Sequence, residues 1–92
     1  MGELTTETLR VRGDTDPGKL GKSILSNLEE RHGLPVNVRA MGVRAVGQAV
    51  KGMVFAGKLL EEANPGADLW CRPRMEETDD GLSVTVFEVS FG

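Results

Sequence analysis

Ninety-two residues, 39% apolar and 27% charged with a mean hydropathy of −0.21, suit one soluble folded domain spanning residues 1–92, not a disordered or multi-domain chain. A single cysteine, Cys71, excludes an internal disulfide and a cysteine-based metal cluster, and no apolar run approaches the roughly 20 residues of a membrane span. The net charge of −3 is unevenly spread: residues 10–58 hold nine Lys or Arg against four acids, and residues 61–92 hold two against eight. A cationic face can therefore sit on a mildly acidic protein.

The N-terminus, M-G-E-L-T-T-E-T, has neither a basic region nor an apolar h-region, so no secretion signal is expected and a cytoplasmic location is. Met1-Gly2 with Thr6 formally fits a myristoylation pattern, but that pattern is short and residues 1–6 read as a frayed end. Thr6 to Arg12 then sets Leu9 and Val11 against Glu7, Arg10 and Arg12, the period-two alternation of a half-buried strand. Asp16 followed by Pro17 is an N-cap with proline at the first helical position. The helix predicted from Pro17 to about His32 carries an apolar stripe of Leu20, Ile24 and Leu28, widened by Leu25. Arg31 and His32 fall in its last turn, where cations suit the dipole, and Gly33 follows as its C′ residue.

Leu34 to Met41 predicts a second strand, with Leu34, Val36, Val38 and Ala40 on one face and Asn37, Arg39 and Met41 on the other. Gly42 ends it. From Arg44 to about Ala63 the spacing predicts a second helix, in which Gly47, Gly52 and Gly57 imply close approach of another backbone. Asn64-Pro65-Gly66 stops that helix. Ala67 to Met75 is a third strand that Pro73 assigns to an edge or a bulge. A polar hairpin loop over residues 76–81 and an apolar last strand from Leu82 to Phe91 complete a βαβαββ chain. The expected fold is an α/β (α+β) two-layer sandwich, a mixed four-stranded sheet with two helices on one face.

Function has to come from a surface. No paired carboxylates, nucleophile triad or metal-ligand spacing stands out, so the chain is not expected to be an enzyme, and no cofactor, metal or small-molecule substrate is expected. Cys71 reads as a buried strand residue rather than a nucleophile, because the only histidine, His32, lies at a distant helix end. Trp70 reads as a core or interface residue rather than a base-stacking platform. The start of the second helix offers unpaired N–H groups and the positive end of the dipole, flanked by Arg39 and Arg44. Arg44, Lys51 and Lys58 recur every seven residues along one face, a stripe able to track a phosphate backbone. The same spacing equally describes the solvated side of an amphipathic helix. Small size and the long apolar last strand favour a dimer, with interface candidates in residues 54–60 and 86–91.

The run A-M-G-V-R-A-V-G-Q-A-V-K, with the strand, Asp-Pro and helix before it, resembles the stage V sporulation protein S family. That family is related to the Alba chromatin proteins and shares the fold of the C-terminal domain of bacterial initiation factor three. The resemblance spans about Thr8 to Phe91 and is most specific from Gly42 to Lys51. It implies a small dimeric bacterial domain that binds DNA or RNA, with a role in sporulation or developmental regulation. Carried over residue by residue, it assigns Lys19 and Lys22 from the first helix region and Arg39, Gly42, Arg44, Gln48 and Lys51 from the second. Two departures stand against it: Asp14 and Asp16 in the first loop, and Glu76, Glu77, Asp79 and Asp80 in a hairpin that is cationic in Alba proteins. The acidic hairpin also supports an alternative, a protein-interaction module of a bacterial regulatory complex that binds no nucleic acid.

Overall fold

The computed structural model describes residues 7–92; the N-terminal residues read above as frayed lie outside that range. Its elements are β1 (Glu7–Val11), α1 (Pro17–Glu30), β2 (Val36–Ala40), α2 (Val43–Ala63), β3 (Leu69–Glu77) and β4 (Ser83–Phe91), in the expected βαβαββ order. The sheet runs β1-β2-β4-β3, with β1 parallel to β2 and the other two pairings antiparallel.

Local chemistry accounts for the boundaries. The Asp16 carboxylate accepts hydrogen bonds from the Gly18 and Lys19 amides at 2.8 and 3.4 Å, satisfying donors that the first turn leaves open. The other end of α1 differs from expectation. The helix stops at Glu30, and His32 rather than Gly33 is the C′ residue, at φ +55°. Gly33 N–H donates to the Leu28 carbonyl and His32 N–H to that of Glu29, the paired bonds of a Schellman motif. Arg31 and His32 thus lie beyond the last turn. Gly42, the N-cap of α2, sits at φ +90° and ψ 160°, backbone that is essentially reserved for glycine. No atom crowds it within 4 Å, so its requirement is conformational rather than steric.

Both helices cover one face. Leu20, Ile24 and Leu28 of α1, and Ala45, Ala49, Met53 and Ala56 of α2, share a single core with Val11, Val36, Val38, Ala40, Phe87 and Val89. The shortest dimension of the molecule, 18 Å, fits one sheet and one helical layer. The helices meet closely where Gly52 receives the Leu20 side chain and Gly21 lies against Phe55 and Ala56. Gly52 therefore makes room for a side chain, and the close approach of another backbone falls at Gly21, against the Ala56 nitrogen and the Gly52 carbonyl oxygen. Gly47 has nothing within 4 Å, and Gly57 makes only ordinary contact with Leu69.

The order of the strands overturns one expectation. β4 is an interior strand, hydrogen-bonded on both sides, so residues 86–91 are not an edge awaiting a partner. Its nearly continuous apolar run follows from burial on both faces: Phe87 and Val89 under the helices, Val84 and Val86 on the opposite face. The edge strand is β3, as Pro73 implied. Because the helices cover β3 only in part, Cys71 is exposed rather than buried, and Trp70, on the face away from the helices, is 41% exposed rather than core.

Candidate nucleic-acid interface

Strand direction brings three connections to one end of the sheet. Residues Val11, Ala40, Thr85 and Met75 form the last row common to all four strands. Beyond it lie the β1–α1 loop, the β2–α2 turn at Gly42 and the β3–β4 hairpin, which overhangs by two further residue pairs before its turn. The helices run alongside each other in the same direction: Thr15 meets Gln48, Leu20 meets Gly52, and Gly21 meets Phe55 and Ala56. Their N-termini, the positive poles of both dipoles, consequently adjoin this end.

Gln48 joins the two helix starts. Its side-chain Nε2 donates to the Thr15 carbonyl at 2.7 Å, and a Cβ on Gly13 would meet the Cβ of Arg44 at 3.1 Å. Gln48 is thereby a positioning residue that ties down the first loop, one of its two amide hydrogens already used. Arg44, Lys19, Lys22 and Lys51 are all exposed. Lys22 and Lys51 each stand one residue from the Gly21–Gly52 crossing, which assigns both to the same zone of the helical layer.

Arg39 does not join them. Asn37 and Arg39 alternate with the inward Val36, Val38 and Ala40, so Arg39 belongs to the sheet face that no helix covers. Its row there is Arg10, Arg39, Val86 and Arg74, one residue in from the end of the sheet. Helix-capping logic picked out Arg39 for its place in sequence; only the strand pairing reveals Arg10 and Arg74 beside it. Period-two alternation was the available signal for all three.

The hairpin at the same end carries Glu76, Glu77, Asp79 and Asp80. The Thr78 hydroxyl donates to Asp80 at 2.6 Å and holds that carboxyl below its ordinary value of 3.8, with a backbone hydrogen bond adding to the effect. The Arg74 guanidinium pairs with Glu76 at 3.0 Å. An anion approaching this end thus finds the uncapped pole of α2, the Asp16-capped pole of α1 and exposed cations on one side, and a negative hairpin on the other.

The sequence profile of the stage V sporulation protein S (SpoVS) family matches residues 7–88. The chain belongs to the SpoVS family. The match takes in all four strands except the end of β4, together with both helices, so the family's sequence pattern describes this whole sheet and helix layer. No curated protein matches the chain significantly. Among the described residues of this SpoVS domain, no helix is long and apolar enough to cross a membrane.

Proposed function

We propose that this SpoVS-family domain is a small, non-enzymatic, dimeric regulator that holds a nucleic-acid backbone with weak sequence specificity. The observation that supports it best is the adjoining of two helix N-termini at one end of the sheet, tied by the Gln48–Thr15 bond and flanked by Lys19 and Arg44. Such a site offers the uncapped backbone donors of the α2 start, those of α1 being taken by Asp16, together with charge-assisted side-chain contacts to phosphate, none of which reads sequence. Binding is expected to weaken steeply with salt and to fall for every sequence in the Arg44→Ala, Lys51→Ala double variant. A low-salt gel assay with DNA and RNA tests this, and no shift with either would sink it.

The dimer face in this reading keeps the α2 candidates of residues 54–60, drops the interior strand β4 as an edge, and centres on the groove between α2 and β3. Val50, Val54, Leu69 and Phe87 contribute apolar lining to a cavity of about 520 Å³, with Val54 55% exposed. Val54→Glu is expected to sediment as a monomer, and a wild-type protein that sediments as a monomer at its highest soluble concentration refutes the dimer. The overhanging hairpin, which sets exposed Met75 and Leu82 among four acids, favours protein interaction as the second reading. Recovery of a partner protein after nuclease treatment, lost on neutralising residues 76–80, would select it.

A further inference from the structure

We infer that the uncovered face of the sheet is a second contact surface, one that takes an unpaired nucleic-acid strand across Arg10, Arg39 and Arg74 with a base on Trp70; this rests on the nucleic-acid reading above. On that face, paired rows bring together Arg10, Arg39, Arg72 and Arg74 against Glu76 and Glu88, a balance of +2 on a chain whose total is −3. Everything else in the protein therefore sums to −5. The face is the cationic part of an acidic molecule.

The arrangement within the face points the same way. Arg10 and Arg39 are direct cross-strand partners in the β1–β2 ladder, where like charges destabilise a sheet. Among the described residues neither has an ion-pair partner, whereas Arg74 is held by Glu76 at 3.0 Å and the Arg72–Glu88 pair is loose at 3.9 Å. Arg10 and Arg39 are therefore the cations open to phosphate, and Arg74 flanks them. A bound phosphate would turn that repulsion into two charge-assisted contacts. Val86, 2% exposed between Arg39 and Arg74 with no helix above it, has only neighbouring side-chain stems to cover it.

Shape selects a single strand over a duplex. Four strands span about 14 Å at the usual spacing, too broad for a groove that admits a helix or a two-stranded ribbon. A flat sheet instead meets bases that are already unstacked, as aromatic-bearing sheets do with RNA. Trp70 pairs in register with Ser90 on this face and lies about 13 Å along β3 from Arg74. Half-buried Asn37, on β2 in the row of Glu88 and Arg72, offers a donor and an acceptor to a base edge.

The experiment uses a fluorescein-labelled mixed-sequence single strand, as DNA and as RNA, titrated by anisotropy at several salt concentrations. The only tryptophan of the chain is Trp70, so its emission, excited free of tyrosine, reports this edge of the sheet. The Val54→Glu variant run alongside separates strand binding from changes in the adjoining α2–β3 groove. Saturating single strand is expected to quench it in wild-type protein, and Trp70→Ala is expected to weaken binding roughly tenfold. The Arg10→Gln, Arg39→Gln double variant, checked for folding by circular dichroism, should bind at least tenfold more weakly. Its logarithmic salt slope should be shallower by about 1.4, two single-strand phosphate contacts. The Arg44→Gln, Lys51→Gln variant should bind more weakly yet still quench at saturation. Binding that leaves Trp70 emission unchanged, or an unaltered slope in the Arg10/Arg39 variant, overturns this inference and leaves the proposed function standing. Equal affinity for a duplex of the same sequence overturns the single-strand assignment. No binding of either strand by wild-type protein removes both.

Discussion

Substituting alanine at two helical glycines should move stability in opposite directions. Glycine inside a helix costs about 1 kcal/mol relative to alanine, so propensity alone favours both Gly21→Ala in α1 and Gly47→Ala in α2. At Gly47 a new Cβ meets nothing within 4 Å, so the full gain of about 1 kcal/mol should appear, a rise in Tm of roughly 4–8 °C for a domain of this size. At Gly21 the added Cβ would lie 2.7 Å from Phe55 Cβ and 3.0 Å from both the Ala56 nitrogen and the Gly52 carbonyl oxygen. Two of those are backbone atoms, which no rotamer change can clear. Overpacking costs typically 1–3 kcal/mol, and forcing two helix backbones apart belongs at the upper end, so the net should be a loss of about 1–2 kcal/mol. Urea denaturation with both variants, followed by circular dichroism, reads the difference. Repeating it across protein concentrations separates intrinsic stability from association, which would make the midpoint concentration-dependent. If Gly21→Ala matches or exceeds wild type, the α1–α2 crossing is not closed on glycine and the packing argument is wrong.

Other outcomes follow from the caps and turns. His32→Gly should raise stability by about 1 kcal/mol, since His32 is exposed and holds φ +55° without glycine's freedom; an unchanged Tm refutes a strained C′ residue. Gln48→Ala removes a part-buried bond between α2 and the first loop, at a cost of about 1 kcal/mol, and should speed amide exchange in residues 12–16. Thr78→Val should return the Asp80 titration midpoint toward 3.8 in a carboxyl NMR titration. Because the folded value is lowered, the stabilisation exists above the ordinary value and disappears as pH falls through the folded one, so wild type and variant should converge in hairpin stability at the acid end. An unshifted midpoint in the variant removes the hydroxyl as the cause.

Element order was readable because its signals are local. Asp16-Pro17, Gly42 and Asn64-Pro65-Gly66 punctuate the chain wherever a neighbour in space is irrelevant, and the alternation in residues 34–41 sorted both strand faces correctly. What alternation cannot say is which of two faces a helix will cover. That omission separated Arg39 from the helix-side cations. It also concealed the exposure of Cys71, on an edge strand that α2 meets around Leu69, and of Trp70, on the face opposite the helices. β4 misled for the related reason that residues apolar on both faces look the same whether a strand is interior or awaiting a partner. His32 at C′ was missed because a glycine one position later fitted the usual pattern.

Pro73 has a consequence for how copies of the domain can grow into larger assemblies. In the β3–β4 ladder it pairs with Phe87, and since it has no N–H its nitrogen must lie on the side away from β4. Cys71, Pro73 and Met75 share that outward direction, so the free rim of the sheet offers donors at the first and third positions and none between. An incoming strand would lose the middle rung of its ladder and leave a carbonyl unanswered. Open-ended polymerisation by adding strands is therefore interrupted on this side at a single atom.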